Sequence, residues 1–387
     1  MHPPVQPEVH SPAKPKPARK RLGWPWKLLF SLLFFALLLE VILRVQQKLG
    51  PWIDLEMPGI HAGIISDELN HRPEISARWP YDDNGLIQYS EELLPSSVRH
   101  NPHAWKILFM GDSFMQGFGG KEEIPWQVMH HYQLAGIPMI PLNAGYYSYS
   151  PSIFIVLARK LLPLVKPDAI VVVIDNTDLG DDAWRYRDLV ARDAEGKITA
   201  VKSNPSYAFF IQGFLDIQKQ PLYLTRFVSK LIHTRYSHPR FDGGKTYRVS
   251  EWIEDSIIDQ SPDLETRYAE EVKIFEANLR EFADILIHHT GTGQRILWVC
   301  HPNPFHLRTP EGKVPPNRLV MNAVERIAAE KKIHFYDATS DMRRDLGPNP
   351  EKYYLKGDPV YHFIPEACLI YAKNIFNHIP PEWKQPK

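Results

Sequence analysis

Five short apolar runs constrain this chain more than any other feature: Ile107–Met110, Met139–Leu142, Ala169–Ile174, Ile296–Val299 and Ile333–Tyr336. Most lack the polar alternation of a half-solvated strand and suit strands buried on both faces. Helical patterns separate most of them, at Pro151–Leu164, Leu264–His288, Asn317–Lys332 and Pro365–His378. In the second of these, Leu264, Tyr268, Val272, Phe275, Leu279, Phe282 and Leu286 recur three or four apart, a single helix face. Strands alternating with helices predict an α/β fold with a parallel sheet covered on both sides. One segment breaks the rhythm. Residues 183–262 are too long for a loop and rich in aromatics, among them Trp184, Tyr186, Tyr207, Phe209, Tyr223 and Trp252. They are expected to form an insertion, either a lid or substrate-binding cap or a unit with its own small core.

The amino-terminal region reads differently. Residues 1–27 are proline-rich and basic and are expected to be a disordered cytoplasmic tail. Leu28–Val45 is an apolar stretch interrupted by Glu40, long enough for a short membrane span. No small-residue cleavage site follows, so an uncleaved anchor is expected rather than a signal peptide. The basic excess on its amino side predicts a single-pass inner-membrane protein with its body in the periplasm. Trp24, Trp26 and Trp52 suit the two interfaces. Residues 46–104 have scattered apolar positions and turn signals such as Asp83-Asn84-Gly85, and read as a stem packed loosely on the main domain.

Charge and cysteine content exclude several classes. Lys+Arg and Asp+Glu both number 45, so no net field draws in nucleic acid. The two cysteines, Cys300 and Cys368, are too few for a disulfide framework or a cysteine-based zinc site. The adjacent pairs His130-His131 and His288-His289 point apart on a helix and make poor metal sites. Gly117–Lys121 hints at a phosphate loop, but Met115 and Glu122 stand where a Walker A loop needs glycine and a hydroxyl. No metal or cofactor is expected.

The chemistry is expected where the first apolar run ends, in Ile107–Gly119. Gly111 permits a sharp turn, and Asp112 and Ser113 follow it. A serine between strand and helix projects its hydroxyl from the carboxyl edge of the sheet, where open α/β folds place ligands. The plainer reading is a helix cap. Near the other end, Asp358 and His362 lie in a loop just before Pro365, which can start a helix. His362 suits a proton shuttle near neutral pH and Asp358 can hold its tautomer. Two further loops, Asn143-Ala144-Gly145 and Asp175-Asn176-Thr177-Asp178, follow the second and third runs and can supply oxyanion donors. Their plainer readings are a turn glycine and a polar cap.

Taken in order, Gly-Asp-Ser, Asn-Ala-Gly, the asparagine-bearing block and the Asp…His block resemble those of the SGNH/GDSL hydrolases. Leu39–Arg44 and Tyr149-Ser150-Pro151 further resemble a membrane-anchored bacterial subgroup. The resemblance spans roughly residues 105–182 and 263–379. It implies a three-layer α/β/α sandwich with a flavodoxin-like parallel sheet, and cleavage or transfer of acyl groups on carbohydrates or lipids. By it, Ser113 is the nucleophile, His362 the base and Asp358 its orienter. The oxyanion donors are the N–H groups of Ser113 and Gly145 and a side chain from the third block. The sequence departs from the family at two blocks. Thr177 takes the asparagine's place, with Asn176 one position early. Three residues, not two, separate Asp358 from His362: a bulge at Pro359 lets the pair meet, and without it the site is a Ser–His dyad or borrows another carboxylate. With both blocks altered, a catalytically weak scaffold or binding subunit in envelope polysaccharide assembly is the competing expectation.

Overall fold

Carbon-rich runs with no polar partners of their own must find cover on both faces, and this requirement shapes the main body. In the computed structural model, residues 23–49, 65–73, 80–117, 120–237, 264–309, 317–356, 358 and 361–387 are described. The expected tail falls almost wholly outside them, as do Trp52, Pro359 and residues 238–262. Five strands form one sheet: β1 (Trp105–Met110), β2 (Met139–Asn143), β3 (Ala169–Ile174), β4 (Ile296–Cys300) and β5 (His334–Asp337), in the order β2-β1-β3-β4-β5. Every pairing is parallel. All six residues of β3 are buried, as its unbroken apolar sequence requires.

Helices cover both faces. Pro151–Val165, Ala269–Thr290 and Leu319–Lys331 pack together in one layer, with Phe154 and Phe282 ring centres 5.6 Å apart. Ile124–Leu134 and Pro365–His378 form the other, joined by an edge contact of Tyr132 with Phe376 at 5.3 Å. Pro151 and Pro365 sit in the first turns of their helices, where a missing N–H costs nothing. The fold is therefore a three-layer α/β/α sandwich with the flavodoxin-like strand order. Its strand order reverses between β1 and β3, and a crevice at their carboxyl ends is the general ligand site of such sheets.

The expectation of a loosely packed stem needs correction. Tyr81, Leu86, Ile87, Tyr89 and Leu94 are buried in the same core as the sheet. The Ile87 N–H donates to the Asn143 carbonyl at the end of β2. This stretch caps the edge of the sandwich, its apolar positions buried though they follow no single period. The start of the insertion is likewise integral. Ala183, Tyr186, Ile198 and Val201 join the main core, and Val190–Arg192 pairs with Ile198–Val201 as a small antiparallel hairpin. Two helices follow, Pro205–Gln218 and Tyr223–Ser237.

The chain divides into two compact units, Met1–Glu56 with Ile217–Lys230, and the remainder. In the first, Trp24–Leu49 is one helix of 26 residues with a mean hydropathy of 2.5 in its most apolar window, long and apolar enough to cross a membrane. Most of its apolar side chains are exposed, while Ala36, Glu40, Leu43, Gln46 and Gln47 form a covered stripe along one side.

Candidate active site

β1 ends at Met110, and the turn that follows tolerates almost no side-chain volume. A Cβ on Gly111 would lie 2.8 Å from the Met115 Cβ. Asp112 then caps the short helix Ser113–Gln116, its Oδ1 accepting the Phe114 N–H at 2.9 Å. The cap reading of Asp112 and the exposure of the Ser113 hydroxyl are thus two aspects of one turn. Ser113 is the first residue of the helix, at the carboxyl end of β1.

The loop 354–363 brings the other end of the chain to the same edge. The His362 Nε2 lies 2.7 Å from the Ser113 Oγ. Its Nδ1 lies 2.5 Å from the Asp358 Oδ2, which also accepts the His362 backbone N–H at 2.8 Å. Just before His362, Tyr361 takes a left-handed backbone, φ +62°, and its N–H donates to the Asp358 carbonyl at 3.4 Å. The loop closes on itself where the Leu355 N–H donates to the His362 carbonyl. The His362 and Asp358 side chains keep 25% and 14% of their surface, so the relay is partly open to solvent. Nucleophile, base and orienter geometry of this kind fits the triad pattern.

The expected oxyanion donors fare unequally. The Gly145 N–H donates to the Asn143 Oδ1 at 2.9 Å, so in this structure that donor is already engaged. The requirement for glycine there is steric: a Cβ on Gly145 would meet the Gln116 backbone nitrogen at 2.6 Å. The Thr177 hydroxyl and N–H both donate to the Asp175 Oδ1, each at 2.6 Å, closing the cap of the helix Asn176–Gly180. Asn176 opens that helix, buried, two residues past the end of β3, the strand that pairs with β1.

Phe114 and His301 carry no sequence signal of their own. Asp112, Asp175, Asp178, Asp181 and Asp182 are all buried. Burial raises the pKa of Asp112 well above the carboxylate range, and the neighbouring Asp175 charge adds to it. Asp178 is raised in the same way, by burial and then by Asp175 and Asp112. Burial pushes Asp181 up to about 7, although Arg185 pairs with it at 2.9 Å. The Ser113 Oγ lies 3.3 Å from the Asp112 Oδ2, a longer contact than the one to His362, so His362 is the better-placed proton acceptor. The Phe114 ring touches both His362, centres 4.8 Å apart, and His301, 3.9 Å apart and nearly parallel. His301 is buried, and neither ring nitrogen has a hydrogen-bond partner among the described residues. Burial holds its pKa well below the ordinary histidine value, so it packs as a neutral ring.

The loop after β2 is fastened by residues distant in sequence. The Tyr81 hydroxyl donates to the Gly145 carbonyl at 2.8 Å, and the Tyr186 hydroxyl to the Ser148 carbonyl at 2.7 Å. The His71 Nε2 contacts the Tyr147 carbonyl at 2.8 Å. Burial lowers His71 to about 4, so near neutral pH it is uncharged and donates to that carbonyl. The segment expected as a stem therefore sets the position of Gly145. Among the described residues, no group of three or more His, Cys, Asp or Glu is arranged to hold a metal ion.

No protein-family model matches this sequence, and no curated protein does. Solved structures of similar fold include a lipase/acylhydrolase from Enterococcus faecalis at 14% identity, covering 73% of this chain and 98% of that one, with a TM-score of 0.38. An acetylxylan esterase from Geobacillus stearothermophilus is 14% identical, covering 74% of this chain and 99% of that one, at a TM-score of 0.38. A psychrotrophic esterase from Pseudoalteromonas sp. is 9% identical, covering 72% and 97%, at a TM-score of 0.36. Likeness of this degree concerns the fold and carries no functional weight.

Proposed function

We propose that this chain is a membrane-tethered serine esterase or deacylase acting on acylated carbohydrate or lipid of the cell envelope. The observation that carries the reading is the pair of contacts at His362, 2.7 Å to the Ser113 hydroxyl and 2.5 Å to Asp358. Ser113 Oγ attacks the acyl carbonyl and its proton passes to the His362 Nε2. Asp358 stabilises the imidazolium and holds its tautomer. The developing oxyanion takes donors from the Ser113 N–H and the Asn176 amide. The C–O bond then breaks, and the leaving alcohol takes the proton from His362. Water, deprotonated by His362, releases the acyl group from Ser113 as the carboxylic acid. With a sugar hydroxyl in place of that water, the same steps transfer the acyl group.

The helix Trp24–Leu49 supports the tether, with the basic segment on its cytoplasmic side and the hydrolase body in the periplasm. A second reading, a scaffold subunit of slow or no turnover, is favoured by two contacts: Gly145 N–H to Asn143 and Thr177 hydroxyl to Asp175. Stopped-flow hydrolysis of a short aryl acetate separates the two. The esterase gives a burst of one aryl alcohol per chain, absent in Ser113→Ala. A folded wild type without burst or turnover on aryl acetate or on acetylated glycan favours the scaffold.

A further inference from the structure

Glu40 interrupts the apolar run of the amino-terminal helix, and a carboxylate in hydrocarbon needs partners. It has three. Its Oε1 accepts from the Tyr223 N–H at 3.1 Å and from the Arg44 Nε at 2.7 Å, and its Oε2 accepts from the Leu224 N–H at 2.7 Å. Tyr223 and Leu224 supply the opening N–H groups of the helix Tyr223–Ser237, so Glu40 places a negative charge at a helix amino terminus. Arg44 also donates to the Pro221 carbonyl at 3.1 Å. The Arg44 and Arg226 guanidiniums lie 5.2 and 4.8 Å from the Tyr223 ring centre. The segment from Ile217 onward is thus fastened to the apolar helix at one level.

That level is near the end of the apolar run. Glu40 stands five residues before Val45, about 8 Å along the axis. Interfacial helices bury their apolar faces about 5–10 Å into the headgroup and acyl boundary. The fastened segment has the composition such a helix needs. From Ile217 to Ser237 its charged residues are Lys219, Arg226, Lys230 and Arg235, with no Asp or Glu. Leu222, Val228, Leu231 and Ile232 are 47%, 45%, 55% and 54% exposed, and the last three lie three and four apart on one helix face. Scattered exposed aliphatics need no explanation, but a face of them on a wholly basic helix tied to an apolar span does.

We propose that the segment Ile217–Ile232 is an interfacial foot. It lies in the outer headgroup region with Val228, Leu231 and Ile232 in the acyl boundary and its basic residues on anionic lipid, and Glu40 is the pin that holds it to the span. The proposal rests on the reading of Trp24–Leu49 as a membrane anchor. Its partner is a bilayer surface because the segment's amino end is hydrogen-bonded to the helix that would cross that bilayer, and its charge suits anionic headgroups.

The test uses the full chain reconstituted in vesicles of phosphatidylcholine with or without phosphatidylglycerol. Both native cysteines are buried, so a cysteine at Val228 takes an environment-sensitive fluorophore, and the same fluorophore coupled to glutathione serves as the aqueous control. Lipids brominated near the carbonyl end of the chain should quench the Val228 label about threefold more than this control, and more strongly with phosphatidylglycerol present. Glu40→Leu makes the span more apolar and removes the pin, so quenching at Val228 should fall to the control level. A solvent-like Val228 label, quenching indifferent to phosphatidylglycerol, or quenching unchanged in Glu40→Leu each overturns the proposal. Alkaline carbonate extraction distinguishes the two failures. A chain that stays in the membrane with a solvent-like Val228 refutes the foot alone, whereas a chain that is extracted refutes the anchor and the foot with it.

Discussion

Adding one methyl group at Gly145 should disable the site without removing any chemical group from it. An alanine Cβ there would stand 2.6 Å from the Gln116 nitrogen and 2.7 Å from the Met115 carbonyl carbon. Both atoms are backbone of the short helix that begins with Ser113. Ordinary contact begins at 3.4 Å, and separations under 3.0 Å essentially never occur. The helix or the loop must therefore move by 0.4 Å (3.0 − 2.6) to 0.8 Å (3.4 − 2.6). The loop is held by the Tyr81 hydroxyl and by Asn143, so part of the movement falls on the serine turn. If all of it falls along the Ser113–His362 contact of 2.7 Å, that contact opens to about 3.1–3.5 Å, at or beyond the limit of a hydrogen bond. Misplacement by about 1 Å costs roughly a hundredfold, so acylation should slow by about 10–100-fold. Overpacking should also cost about 1–3 kcal/mol of stability. The assay is the second-order rate of aryl acetate burst formation, paired with a thermal melt to establish folding. Alanine keeps its N–H, so a loss of rate reports displacement and not a missing oxyanion donor. Folded Gly145→Ala acylating at the wild-type rate would refute the reasoning.

Three further outcomes are expected. Asp358→Asn should lower kcat by about 10²–10⁴-fold with KM little changed, because the amide cannot stabilise the imidazolium; steady-state kinetics on an aryl ester would contradict this if kcat stayed within a few-fold. The buried carboxyls make stability depend on pH with a defined sign. Asp112, Asp178 and Asp181 have pKa values raised by burial, Asp181 to about 7, so the folded state binds more protons than the unfolded one from about pH 4 upward to their folded values. Their stabilising contribution is complete at low pH and is lost as pH rises through the folded values. Asp178→Asn keeps an oxygen to accept the Asp175 N–H, a contact of 3.1 Å in the wild type, and removes the charge. Its denaturant midpoint should therefore exceed wild type at pH 8 and converge on it toward pH 4. His71 and His301 are shifted the opposite way and lose stability as pH falls below about 6.5, which is why the difference between variant and wild type is the quantity to read. A pH-independent difference would sink the assignment. Finally, a reporter that functions only outside the cytoplasm, fused after Lys387, should be active; activity of a cytoplasm-only reporter would reverse the proposed orientation.

Sequence carried the sheet well because apolar runs and their helical cover are local signals. The disagreements sit at the ends: β1 starts at Trp105, ahead of the apolar run, because the exposed Lys106 interrupts the apolar pattern, and β5 runs His334–Asp337, just after the left-handed Lys332. The helix Ile124–Leu134 leaves a weak sequence signal, since Gln127, His130, His131 and Gln133 dilute its buried stripe of Ile124, Val128, Met129 and Tyr132. Ser113 is legible because it stands at a strand-to-helix boundary, and Asp358 and His362 because their loop leads into the helix Pro365–His378. What decides their surroundings was not legible. The left-handed Tyr361 just before His362 is a tertiary outcome no spacing rule supplies. The commitment of the Gly145 N–H to Asn143 depends on a side chain turned back along its own loop. The fastening of that loop by Tyr81, His71 and Tyr186 consists of single long-range hydrogen bonds, which leave no period in the chain.

The account rests on Ser113 being an activated nucleophile, and covalent mapping tests that most directly. The folded chain would be treated with a serine-directed alkyl phosphonate, digested and sequenced by mass spectrometry. The adduct should fall on the peptide bearing Ser113, vanish in Ser113→Ala, and form at least about a hundredfold more slowly in His362→Ala. A folded wild type that takes no label, or takes it on another serine, would contradict the account.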